Sequence, residues 1–418
     1  MGKKIMTINC GSSSVKYSLW SMPERERLCR GIVERVGIGK SFVTYKSKGK
    51  QVKQQCECRT YEEAFDLIFK MITDSSFGVI KHLSEINAVG HRVVHGGEKF
   101  RHATLINREV IRIVEELCDL APLHNPANLL GIKVAMKKLP TIPHVAVFDT
   151  SFLSTLPPKA YMYALPYQWY EKYRVRRYGF HGLSHQYVSQ RAAAILHRKL
   201  SELKIVTLHI GNGVSITAIN KGKAFDHSMG FTPLEGAIMG TRCGDVDPGA
   251  ILYIMKKENL SPDHMNEILN KKSGILGITG KYVDRRDLLE AAERGDEKAK
   301  LAVEMECHRL KKYIGAYAAI MGGIDVLVFT AGVGENSPEY REKICEGLEF
   351  LGIRINKEKN RSVRCKEADI SCQDSKVRIL VIPTDEEYII AEETFNIIST
   401  AARSHKSFKK KESREDSA

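Results

Sequence analysis

A chain of 418 residues with 43% hydrophobic and 27% charged residues is neither a disordered segment nor a fibre, and at roughly 100–200 residues per domain it holds two or three domains. It can bury several cores without disulfide staples. Its 64 Lys and Arg against 50 Asp and Glu leave a formal charge of +14, which points to an anionic partner: nucleic acid, a membrane surface or phosphorylated small molecules.

In chain order, Ile5–Asn9 and Val15–Trp20 alternate like strands around a turn of small residues, Cys10-Gly-Ser-Ser-Ser14, and predict a hairpin. A strand starting at Ile5 leaves no room for a secretory signal, and Met6 breaks the resemblance of Met1-Gly2 to a myristoylation start. Amphipathic periodicity predicts helices over Glu109–Leu120, Ala127–Lys138 and His185–Leu200, and Pro157-Pro158 marks a hinge. Ile205–Ile210, Gly211-Asn-Gly213 and Val214–Ile219 repeat the hairpin design, which suggests two similar lobes. The nearly uncharged stretch Tyr313–Gly334 is broken by Gly322, Gly323 and Asp325, so a buried helix followed by a strand at Val326–Thr330 is expected rather than a membrane span. Pro338 suits the first turn of a helix. The last strand is expected at Arg378–Pro383 and the last helix at Asp385–Arg403, capped by Thr384 or Asp385, with a mobile polar tail from residue 404. Ten cysteines without a Cys-x-x-Cys pair read as reduced thiols in a cytoplasm, and Cys56-x-Cys58 is too little for zinc.

The first turn offers backbone N–H groups and three hydroxyls, followed by Lys16, a set able to wrap phosphate oxygens. It is not a P-loop, since no helix follows, and an ordinary polar turn is an equal alternative. His209-Ile-Gly-Asn-Gly213 has the same logic, with Asn212 as a donor and glycines that let backbone approach an anion. Two such turns suit a nucleotide held between lobes. Ala331-Gly-Val-Gly-Glu-Asn336 lies between a strand and a helix, where a structural turn competes with a nucleotide contact. Arg92 and His95 in Gly90-His-Arg-Val-Val-His-Gly-Gly97, His181 in Tyr178-Gly-Phe-His-Gly182 and Arg242 in Gly240-Thr-Arg-Cys-Gly-Asp245 are basic residues in glycine-rich settings, which favours a distributed anion site over three solvated faces. Asp149 ends the apolar run Val145–Phe148, where it either orients a basic side chain or caps a turn.

Asn9–Lys16, Gly90–Glu98, Ala121–Pro126, Val147–Phe152, Arg177–Gly182, Met229–Gly236, Gly240–Arg242 and Phe329–Asn336, in this order, resemble the motifs of the acetate kinase family, over residues 5 to about 400. The resemblance implies the α/β, ribonuclease H-like fold of actin, Hsc70 and sugar kinases, with two lobes of mixed sheet and a nucleotide cleft between them. One lobe would span 1–150 with 386–418, the C-terminal helix returning to it, and the other 151–385. It implies a cytoplasmic homodimer that moves phosphate reversibly between ATP and acetate. It assigns Mg²⁺, with Mn²⁺ as an alternative, to Asn9 and Glu386, and catalysis to Arg92, Asp149, His181 and Arg242. An apolar pocket for the acetate methyl falls to Val94, Leu123, Phe180 and Pro233, with Arg92 on the carboxylate. Nucleotide contacts fall to Ser12, Ser14, Lys16, His209, Ile210, Gly211, Asn212, Gly213, Asp284, Arg285, Arg286, Gly332, Val333, Gly334, Glu335 and Asn336, and His124 falls on an active-site position. Leu183, Cys243, Val283 and Arg285 depart from the family pattern, and Cys243 beside Arg242 is expected to be a reactive thiol. A propionate kinase shares the motifs, since one methylene in an apolar pocket is worth only ~1–3 kcal/mol. An actin- or Hsc70-like ATPase module is the further alternative. Charge alone supports nucleic-acid binding, and no specific nucleic acid or membrane partner is expected.

Overall fold

The computed structural model describes residues 2–122 and 124–415, with side chains described as far as residue 401. The chain divides into two compact units, Met1–Ser151 with Asp385–Ala418, and Phe152–Thr384.

The first unit is built on eight strands: β1 Lys3–Cys10, β2 Ser14–Met22, β3 Glu26–Glu34, β4 Ser41–Ser47, β5 Lys50–Cys56, β6 Ile86–Val93, β7 Thr104–Leu105 and β8 His144–Phe148. Their order is β5-β4-β3-β2-β1-β6-β8-β7. The first hairpin forms as expected and closes at Cys10 opposite Val15. β6 runs parallel to β1, and β8 parallel to β6. Met6, Ile8, Tyr17, Val33 and Tyr45 face one side of the sheet and form a core with Phe65, Ile68 and Val134 of the helices Tyr61–Ile72 and Asn125–Lys138. The opposite side is covered by the helix Glu386–Glu415, which packs on β1, β2, β6 and β8. Gly90 permits that contact, because a Cβ there would lie 2.2 Å from Thr394 Oγ1 and 2.7 Å from Ile390 Cγ2.

The second unit holds β9 Lys204–Ile210, β10 Val214–Asn220, β11 Lys223–His227, β12 Val326–Thr330, β13 Ala368–Asp369 and β14 Arg378–Val381, in the order β11-β10-β9-β12-β14-β13. β9 and β10 close at Ile210 opposite Val214, and β12 lies parallel to both β9 and β14. The two sheets share one plan: three successive antiparallel strands, then two strands parallel to the first, β3-β2-β1-β6-β8 and β11-β10-β9-β12-β14. This is the ribonuclease H-like arrangement, an α/β fold with mixed sheets.

Some boundaries differ from the sequence pattern. The helix expected at His185 starts at Gly182, because His181 takes a left-handed N-cap conformation (φ 58°) and the departure Leu183 packs inward, fully buried. The segment Ala331–Asn336 is a helical turn, and Pro338 opens the next helix, Pro338–Cys345, with Ser337 as its cap. The last helix, capped by Asp385 through Tyr388 N at 3.2 Å, continues to Glu415 through the expected tail, whose Lys, Arg and Glu residues are good helix formers. Among the described residues no helix is long and apolar enough to cross a membrane; the uncharged stretch is the end of the helix Glu297–Met321 followed by β12.

Candidate active site

In the first unit the candidate side chains gather at the C-terminal ends of the parallel strands, where open α/β sheets bind ligands. Arg92 lies near the end of β6, Asp149 directly after β8, Asn9 near the end of β1 and Glu386 in the first turn of the C-terminal helix. Arg92 Nη2 donates to Asp149 Oδ2 at 2.9 Å and Nη1 to Asn9 Oδ1 at 3.5 Å, and Nε lies 3.8 Å from Glu386 Oε2. Burial raises the Glu386 pKa, Arg92 and Lys16 oppose the rise, and Asp149 adds to it. For Arg92, burial disfavours the charge, but Asp149 and Glu386 outweigh it, so the guanidinium stays firmly protonated. The cluster thus combines one cation with two carboxylates and an amide oxygen. Among the described residues no group of three or more His, Cys, Asp or Glu is placed to enclose a metal. A hard ion such as Mg²⁺ does not need one: it takes one or two carboxylates and completes its shell with phosphate oxygens and water. The oxygen donors of Asn9 and Glu386 fit an ion shared with a phosphate.

The surrounding loop is held by two asparagines that the sequence did not single out. Asn128 accepts from Val94 N at 3.0 Å and donates to Cys10 O at 2.7 Å, joining the loop after β6 to the first turn. Asn125 accepts from His95 N and donates to His95 O, both at 3.0 Å. No local pattern marks either asparagine; their burial is a property of the fold. His95 is itself fully buried, and its Nδ1 accepts the Gly97 N–H at 3.0 Å, so it shapes the loop. Ser12 and Lys16 are exposed and Ser14 is half-buried on the first hairpin. Val94 is buried. Leu123 lies outside the described residues.

In the second unit the glycine turn after β9 brings two basic residues to one point. A Cβ on Gly213 would lie 3.4 Å from His181 Nε2 and 3.5 Å from Arg242 Nη1. Arg242 Nη1 donates to Pro233 O at 3.1 Å, and no described carboxylate pairs with Arg242. Burial alone lowers its pKa. A guanidinium without a described counter-charge in that position has donors left to offer an external anion. His181 Nδ1 is 2.8 Å from Ser215 Oγ, and its ring stacks on His209 with centroids 4.1 Å apart. Phe180 is buried, and its N–H donates to His227 Nε2 at 3.1 Å. Arg177 bridges the carbonyls of His227, Ser228 and Met229 and pairs with Glu235 at 2.6 Å, which fixes the loop carrying Pro233.

Beside this point lies a cavity of about 580 Å³ lined by Gly211, Asn212, Asp284, Arg285, Arg286, Gly332, Val333 and Asn336 from the expected set, together with Leu289, Ser337, Glu339 and Arg364. Its size suits a nucleotide. The last four were not foreseen, because they come from helices and a loop whose local pattern is ordinary. Of the expected nucleotide residues in the second unit, five do not line it. Ile210 is in the core, His209 is in the histidine stack, and Gly213 faces His181 and Arg242. Gly334 O accepts from the buried Arg341 at 2.9 Å. Glu335 is buried, accepting from Thr384 N at 3.1 Å. Arg285 reaches the wall, but its guanidinium is committed: it pairs with the fully buried Glu306 at 2.8 Å and donates to Gly211 O at 2.9 Å. Arg286 is exposed and forks onto Asp284, which draws that carboxyl down to about 2. Cys243 is half-buried, and burial raises its thiol pKa, against the expectation of a reactive thiol.

The sequence profile of the acetokinase family matches residues 4–392. The chain is 55% identical over 402 residues to the acetate kinase of Thermotoga maritima, covering 96% of this chain and 100% of that one. It is 51% identical over 415 residues to the acetate kinase of Geobacter metallireducens, covering 99% of each. The crystal structure of Porphyromonas gingivalis acetate kinase superposes with a TM-score of 0.90 at 50% identity, covering 95% of this chain and 100% of that chain. A propionate kinase from Francisella tularensis superposes with a TM-score of 0.88 at 40% identity, covering 94% and 99%.

Proposed function

The chain belongs to the acetokinase family, and from that premise we propose that it catalyses reversible phosphoryl transfer between ATP and acetate, giving acetyl phosphate and ADP. The observation that carries the reading is the convergence of His181 and Arg242 on Gly213, with no described carboxylate neutralising Arg242.

The chemistry asks little of the protein in covalent terms. A carboxylate with a pKa of about 4–5 is already a nucleophile at neutral pH, so no general base is required. What remains is to align two anions and to neutralise charge on the transferring phosphoryl group. Arg242 and His181 are assigned to the phosphoryl oxygens and Arg92 to the acetate carboxylate, with Asp149 holding Arg92 at 2.9 Å. Val94, Leu123, Phe180 and Pro233 are assigned to the methyl group. The 580 Å³ cavity is assigned to the nucleotide, with Gly211, Asn212, Asp284, Gly332, Val333 and Asn336 against it. Asn9 and Glu386 would hold Mg²⁺, which when bound neutralises phosphate charge. Alignment of the reactants can contribute up to ~7–11 kcal/mol to the barrier reduction.

Hydroxylamine trapping of the acyl phosphate in the presence of ATP, Mg²⁺ and a carboxylic-acid series tests the assignment. Hydroxamate from acetate is expected; ATP hydrolysis without hydroxamate would sink it. Propionate is the second reading, favoured by the 40% identity to the Francisella propionate kinase, and the ratio of kcat/KM for the two acids decides. The proposal includes a homodimer, for which the exposed Leu252, Tyr253 and Ile254 of the helix Pro248–Lys257 offer apolar surface, and light scattering reports the mass. It also includes a cytoplasmic setting, in keeping with ten cysteines that form no disulfide.

A further inference from the structure

We propose that Ser215, His185 and Thr207 hold neutral His181 in one tautomer, with its proton on Nδ1, so that His181 donates from Nε2 to a phosphoryl oxygen only as the imidazolium. Ser215, His185 and Thr207 are then positioning residues, and the inference rests on the reading of His181 given above.

The polarity of the chain is set at its far end. The carbonyl of Thr217 can only accept, and Thr207 Oγ1 donates to it at 3.5 Å. With the single hydroxyl proton of Thr207 assigned to that carbonyl, the oxygen accepts toward His185 Nδ1, 2.7 Å away. His185 therefore carries its proton on Nδ1. It is fully buried, and burial, with His227 and His209 nearby, keeps it neutral. Its Nε2 is an acceptor, and Ser215 Oγ, 2.8 Å away, must give its proton there. Ser215 is fully buried as well, and toward His181 Nδ1 at 2.8 Å it can only accept. The Nδ1 proton of His181 follows.

The neighbouring histidines are fixed by the same accounting. His227 Nε2 accepts the Phe180 N–H, so its proton sits on Nδ1 and goes to Thr217 Oγ1 at 2.8 Å. Thr384 Oγ1 donates to Ser184 Oγ at 2.8 Å; with the Ser184 proton assigned to His209 Nδ1 at 2.8 Å, the His209 proton lies on Nε2. The stacked rings of His181 and His209 thus hold opposite tautomers. Among the described residues, the titratable and charged groups of the second unit near His181 include His209 from β9, Arg242 beside Gly213, His185 on its own helix and His227 from β11 behind Phe180.

The test is long-range ¹H–¹⁵N correlation of the full-length enzyme labelled at histidine, at alkaline pH, with signals assigned by single His→Asn variants. Nδ1–H patterns are expected for His181, His185 and His227, and an Nε2–H pattern for His209; an Nε2–H pattern for neutral His181 overturns the proposal. Kinetics supply the second arm. The wild-type kcat is expected to fall tenfold per pH unit on its alkaline limb. Ser215→Ala should flatten that limb by admitting the Nε2–H tautomer, and Ser215→Thr should restore it. A flat wild-type limb with His181 in the Nδ1–H form overturns the imidazolium requirement. Should His181→Ala turn over acetate at the wild-type rate, the role of His181 fails, while the tautomers remain readable by resonance. The wild-type spectrum decides the tautomer even if Ser215→Ala does not fold.

Discussion

Arg285 ties the nucleotide wall to the interior, and its removal has a consequence that can be worked from the structure. Its Nη2 lies 2.8 Å from Glu306 Oε1, its Nη1 donates to Gly211 O at 2.9 Å, and Tyr340 Oη donates to Glu306 Oε2 at 3.0 Å. Arg285 is 4% exposed and Glu306 fully buried. Arg285→Met leaves Glu306 a buried carboxylate with Tyr340 as its remaining described donor and strips a donor from the Gly211 carbonyl. Breaking a buried pair from one side costs about 3–5 kcal/mol. At about 2–4 °C per kcal/mol for a unit of 150–250 residues, the unfolding of this unit should move down by roughly 6–20 °C. In Arg285→Met/Glu306→Met the stranded charge is gone, and most of that stability should return. The affinity for nucleotide should not return, because the Gly211 turn has lost its anchor in both variants. Calorimetry with and without ATP, combined with titration of a fluorescent nucleotide, separates the two effects. An Arg285→Met protein destabilised by less than about 1 kcal/mol, or a double variant no more stable than the single, would refute the reasoning.

Arg242→Ala should lower kcat by about 10³–10⁵-fold, as for an arginine that neutralises transition-state charge, with little loss of Tm, since its described partners are Pro233 O and Met239 Sδ; near-normal turnover would be incompatible with its role. Gly213→Ala places a methyl 3.2 Å from His181 Cε1 and should depress kcat while sparing stability, as steady-state kinetics and a melting curve would record. In the core of the first unit His144 Nε2 donates to Leu139 O and its Nδ1 accepts from His91 Nε2–H, both at 3.0 Å. Burial, and for His91 also the neighbouring His144, lowers both pKa values. Their stabilising contribution is therefore complete above the ordinary histidine pKa and is lost as pH falls below about 6.5, by at most ~2.7 kcal/mol per pH unit for the pair. Denaturant titrations from pH 8 to 5 should show this slope flattened in His91→Leu/His144→Leu; an unchanged slope would disprove the assignment. Brief iodoacetamide treatment at pH 7 should label the exposed Cys365 well before Cys243, and peptide mass spectrometry reporting the reverse order would contradict the burial argument.

The placement of the candidate site was legible where a short local pattern brings backbone or basic side chains close together. Gly211-Asn-Gly213, Gly240-Thr-Arg242 and Ala331–Asn336 are read directly, because glycine is required where backbone or a bulky basic side chain comes close. The positions that organise these segments were not legible. Asn128, Glu306, Thr207 and Ser215 act through partners 118, 21, 22 and 30 residues away, and nothing local distinguishes a serine in a strand that will share its hydroxyl between two histidines. Arg285 shows the same limit: a basic residue beside Asp284 reads as a ligand contact, and only the buried Glu306 makes it a strut.

By itself, the sequence determined both hairpins, the strands at Val326–Thr330 and Arg378–Val381, the glycine turns and the family to which the chain belongs, since each rests on periodicity or on contiguous motifs, while the strands between Glu26 and Cys56 emerged only in the fold. The tertiary structure decided which charges are spent and which remain for a ligand. The formal +14 pointed only to some anion. Folding commits Arg177, Arg285 and Arg341 to carboxylates and carbonyls of the interior, and leaves Arg242 without a described counter-charge beside Gly213. That distinction lies in long-range geometry, because burial without a partner is too costly for a guanidinium to be left to chance.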